Sequence, residues 1–118
     1  MGLVRLFEGW RDSDPMPIWQ QVLAVNPTHL EAREALVDDY IKMVNDQAPV
    51  SAYRFSVKHP GKSRVETLEI GLGELPNHPR LLMALGVIHA KQQHTQLARE
   101  YLLQAYHLAP QDLALIHL

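Results

Sequence analysis

PRLLMALGVIHAKQQHTQLAREYLLQAYHLAPQD, residues 79–112, is the stretch on which the reading of this chain turns. Pro79 suits the first turn of a helix, where its missing N–H costs nothing. Leu82, Leu85, Gly86 and His89 follow at helical spacing. Lys91-Gln92-Gln93-His94-Thr95 is a polar turn. Leu97, Ala98, Tyr101, Leu102, Ala105 and Leu108 then recur at threes and fours and form one apolar stripe. The stretch reads as two helices folded back on each other. Small residues at Gly86, Ala98 and Ala105 let the helices approach closely, and larger ones fill the gaps between them.

Outward from this hairpin, one short pattern appears three times: a large apolar residue, two others, a smaller residue, then a Pro five residues on. Trp19-x-x-Val22 leads to Pro27, Leu68-x-x-Gly71 to Pro76, and Leu102-x-x-Ala105 to Pro110. Each Pro stands where a helix has ended. The last two copies are 34 residues apart, and the first two are separated by fifteen more.

These residues carry a resemblance. With Pro79 counted as one, Leu82, Leu85, Gly86, His89, Ala98, Leu102, Ala105 and Pro110 fall at positions 4, 7, 8, 11, 20, 24, 27 and 32. The unit resembles a tetratricopeptide repeat, whose period is about 34 residues. Leu82 replaces the family's usual Trp, and His89 its usual Tyr. The resemblance implies an all-α fold: a right-handed superhelix of antiparallel helical hairpins, here two to three repeats with an irregular middle unit. The whole chain, 1–118, is expected as one such domain. Residues 15–27 read as a partial repeat, 28–78 as a repeat with an insertion near 46–62, and 79–112 as the regular repeat. Residues 113–118 begin a further or capping helix.

Helix starts have their own signals. Thr28-x-x-Glu31 and Ser63-x-x-Glu66 read as capping boxes. Asp14 before Pro15 is a third start. Helices are expected near 15–25, 28–44, 64–75, 79–92 and 96–109, with a stub at 112–118. The segment 46–62 does not fit the period. Pro49 can open a short helix ending near Lys58, or Tyr53, Phe55 and Val57 can alternate as an extended strand. The helix or an ordered loop is preferred. His59-Pro60-Gly61-Lys62 is a turn.

Composition narrows the function. Apolar residues make up 47% and charged ones 20%, which is ordinary globular chemistry. With no cysteine, a disulfide scaffold, a thiolate zinc site and a cysteine nucleophile are all excluded. Eleven basic residues scattered among thirteen acidic ones argue against nucleic-acid binding. The opening MGLVRLFEGWRDSD is not a signal peptide, and no apolar run approaches the ~20 residues needed to cross a bilayer. A soluble, cytoplasmic chain without membrane contact is expected.

No catalytic constellation emerges. Ser13, Ser51, Ser56 and Ser63 lie outside any G-x-S-x-G pattern. Gly71-Leu72-Gly73 sits in a helical pattern and lacks the Lys-Ser/Thr of a phosphate loop. The chain is therefore not expected to be an enzyme. The seven histidines, His29, His59, His78, His89, His94, His107 and His117, form no HExxH pair. His89 and His94 are five apart, which on a helix disperses them instead of stacking them. They are read as capping, turn and packing residues; neither metal nor cofactor is expected.

The candidate site is a surface. Glu31, Glu34 and Asp38 at i, i+3 and i+7 share one helix face. For a repeat starting at Leu30 they take positions 2, 5 and 9, which in the resembled family line a concave peptide-binding groove. The matching positions of the last unit are Arg80, Met83 and Val87, with Lys91 at the rim. Met83 and Val87 stand where a carboxylate clamp would want Lys and Asn, which argues against a chaperone-tail clamp. The same acidic residues also suit a solvated face near a positive helix terminus, and Met83 also suits helix packing. After Pro110 come Leu113, Leu115, Ile116 and Leu118, an apolar stub of the kind that marks an interaction surface. The expected function is recognition of a basic or amphipathic peptide or helix, as an adaptor or scaffold without catalysis. The alternatives are a self-association or regulatory module of a larger protein, which could form a homodimer through the stub, and a small assembly or secretion chaperone.

Overall fold

The computed structural model describes residues 16–110. They form six α-helices and, among the described residues, no strand: α1 (Met16–Val25), α2 (Leu30–Val44), α3 (Pro49–Lys58), α4 (Arg64–Glu74), α5 (Pro79–Lys91) and α6 (Thr95–Leu108). The all-α class follows directly. The chain divides into two compact units between Lys62 and Ser63, inside the 28–78 segment. The first holds α1 to α3, the second α4 to α6.

In the first unit α1 packs on α2 and α2 on α3. The buried side of α2 carries Ala32, Leu36, Val37, Tyr40, Met43 and Val44. Tyr40, fully buried, meets the Phe55 ring edge-on at 6.1 Å and 84°. That contact favours a helix over Pro49–Lys58, within the 46–62 segment, in place of the alternating strand. Pro49 occupies the first helical position, and a helical α3 turns Phe55 inward while Tyr53 and Val57 stay exposed. In a strand all three would point the same way.

In the second unit α5 and α6 form the most extensively packed pair. Leu82, Leu85, Gly86 and His89 of α5 are buried, as are Ala98 and Ala105 of α6. Gly86 is where the helices come closest. A Cβ placed there would lie 2.6 Å from Leu102 Cγ and 3.3 Å from the Ala98 carbonyl. Any side chain there would have to displace Leu102. Leu97 and Leu108, expected within the buried stripe of α6, are instead 44% and 51% exposed.

Helix ends follow local chemistry, with one correction. The capping box at Ser63 forms fully: the Glu66 N–H donates to Ser63 Oγ at 3.1 Å, and the Ser63 N–H to Glu66 Oε1 at 3.1 Å. The box expected at Thr28 does not form. Thr28 belongs to a turn closed by the His29 N–H donating to the Asn26 carbonyl at 3.1 Å, and its hydroxyl donates to Asn26 Oδ1. His29 is the cap: its Nδ1 accepts from the Ala32 N–H at 3.1 Å. His78 caps α5 likewise, accepting from the Arg80 N–H at 3.2 Å. At the other ends, α2 and α5 stop in Schellman motifs. Asp46 and Gln93 adopt φ of 59° and 65°, and the Gln47 and His94 N–H groups return to the Lys42 and His89 carbonyls at 2.7 and 2.8 Å.

The Gly86 contact yields a test. Gly86→Ala gains roughly 1 kcal/mol of helix propensity but overpacks the crossing, at a cost of about 1–3 kcal/mol. A net loss of about 1 kcal/mol is expected in urea denaturation. Leu102→Ala should cost less in the Gly86→Ala background than in the wild type, since the two side chains compete for one space.

Candidate partner-binding surface

The acidic residues lie together on the outer face of α2. Buried residues occupy one side of that helix, and at ~100° per residue Glu31, Glu34 and Asp38 fall on the opposite side. Glu31 is exposed; Glu34 and Asp38 are half-buried. The neighbouring carboxylate, Asp39, faces the core side and is buried, a distinction that only the helical phase makes.

The second candidate set behaves the same way on α5. At ~100° per residue Arg80, Val87 and Lys91 fall about 150–170° around the helix from the row Leu82, Leu85, Gly86 and His89, and Met83 about 110° from it. Lys91 is exposed, while Arg80, Met83 and Val87 are half-buried. The face is thus an apolar centre with a cation at either end. The acidic set and this set belong to different units. Leu113, Leu115, Ile116 and Leu118 lie outside the described residues.

Sequence reasoning missed two features. One is exposed apolar surface on α6: Leu103 and Tyr106, at i and i+3, are 51% and 53% exposed. The other is a ring cluster at the α5–α6 turn. His89 is buried and stacks on Tyr101 at 5.5 Å and 5°, while its Nδ1 sits 3.2 Å from His94 Nδ1. The expected dispersal of the two histidines fails because His94 is no longer on the helix. The left-handed Gln93 turn brings it back over the last turn of α5. Among the described residues no three His, Asp or Glu side chains gather as a metal cage.

Burial, reinforced by Glu69 and Glu100, pushes the Tyr101 hydroxyl above its ordinary pKa of 10.0. The neutral phenol is the form the fold favours, so its stabilisation is present below pH 10.0 and is lost as pH rises through the folded-state pKa. Tyr101→Phe should therefore fall less steeply in stability on the alkaline side than wild type, measured by urea midpoints across that range.

No family model matches this chain, and no curated protein sequence or solved structure matches it. No helix among the described residues is long and apolar enough to cross a membrane.

Proposed function

We propose that this chain is a tetratricopeptide-like protein-recognition module that works by surface binding, without catalysis, in the right-handed superhelical arrangement of that family. The observation that carries the reading is the outer face of α5. Met83 and Val87 form a half-buried apolar centre between Arg80 and Lys91, outside the buried row Leu82, Leu85, Gly86 and His89. Methionine adapts its shape to varied apolar partners. The acidic face of α2 adds the attraction for cationic groups that sets orientation and encounter rate. Glu31, Glu34 and Asp38 would meet a basic segment; Met83 and Val87 would meet apolar side chains of a peptide or amphipathic helix.

The test is a pull-down from native lysate with wild type, Glu31/Glu34/Asp38→Lys and Met83→Glu as baits. Expected is a protein retained by wild type and lost by both variants, with helical circular dichroism unchanged in each. Equal retention by all three baits defeats the groove reading. Loss of folding in Met83→Glu shows that its side chain is core.

Self-association is a second reading, favoured by Leu103 and Tyr106 standing exposed on α6. Light scattering should then find a dimer that Leu103→Glu converts to a monomer. A monomeric wild type at all concentrations removes this reading.

A further inference from the structure

We propose that His89 and His94 are a two-histidine chelate for a divalent transition-metal ion of the zinc class, bridging the end of α5 and the start of α6. The two Nδ1 atoms are 3.2 Å apart. Two nitrogens held by one tetrahedral zinc at ~2.0–2.1 Å lie about 3.3–3.4 Å apart. The pair thus already has the separation that a shared ion requires. With both protons on Nε2, the two Nδ1 lone pairs are available to one acceptor. Without an ion, the same spacing is a hydrogen bond in which one ring must donate.

The ligands are held in place by the fold. The His94 N–H donates to the His89 carbonyl at 2.8 Å, so the backbone closing α5 fixes one residue over the other. The His89 ring is buried and lies flat against Tyr101, which holds its plane. His94 stands at the N-cap of α6 but, unlike His29 and His78, makes no capping bond with its side chain. Its Nδ1 is not committed to the backbone. His94 is exposed, which gives an ion a path in from solvent. Imidazole nitrogen suits zinc, copper and nickel over calcium or magnesium. Since no third side chain of the described residues joins the pair, water completes the shell. The site is accordingly open and exchangeable, and a bound ion would staple the hairpin.

The experiment uses the untagged 118-residue chain, stripped with a chelator and titrated with zinc chloride by calorimetry. Histidine ring nitrogens are followed in parallel by 15N NMR. Expected is one ion per chain, with large shifts at Nδ1 of His89 and His94 alone and a raised melting temperature. Losing even an outer-shell partner weakens metal sites by 10–100-fold, so His94→Ala should weaken zinc binding by roughly tenfold or more. Because His94 is exposed, that variant should keep wild-type helicity. His59→Ala and His107→Ala should bind as wild type. Absence of saturable binding overturns the proposal. So does zinc binding that His94→Ala leaves intact, or shifts confined to other histidines.

Discussion

The second unit depends on the distance between α5 and α6, and that distance is set where Gly86 faces Leu102. Because glycine has no side chain, the Leu102 isobutyl group occupies the space a Cβ would take, with the Ala98 carbonyl close behind. This near approach lets Leu85, Ala98 and Ala105 exclude water from the seam. It also decides which side of α5 is left over. With Leu82, Leu85, Gly86 and His89 committed inward, Met83 and Val87 are left half-buried outside that row.

Helix termination is the second constraint. Chain reversals here rely on residues that accept left-handed backbone, Asp46, Asn77 and Gln93, and on histidine rings that accept from the first turn. An imidazole Nδ1 serves as a cap acceptor only while it is unprotonated, so these helix starts share a dependence on neutral histidine. The Gln93 reversal has an added consequence. It brings together two histidine rings that a continuous helix would separate.

Much of this was legible in the sequence. Pro79 and the threes-and-fours spacing of α5 and α6 placed both helices to within a residue or so, and the Ser63-Glu66 box marked the start of α4. The outward phase of Glu31, Glu34 and Asp38 was legible too, because helical periodicity alone separates them from buried Asp39. What failed were decisions between local alternatives of similar energy. Thr28 and His29 can each cap a helix, and the Asn26-Pro27 turn awards the role to His29. Residues 49–58 carry patterns for both strand and helix, and the packing of Phe55 on Tyr40 selects the helix.

The sequence by itself determined the class, the number of helices in the regular hairpin, and the faces on which the candidate binding residues lie. These follow from short-range geometry: 3.6 residues per turn, proline's missing N–H, and glycine's missing side chain. Tertiary structure alone decided which apolar residues of α6 stay in water, which histidines cap and which meet, and that the chain divides at Lys62. Those outcomes depend on where the chain returns in space after each turn, and no linear spacing encodes a reversal whose direction is set by one backbone angle at Gln93.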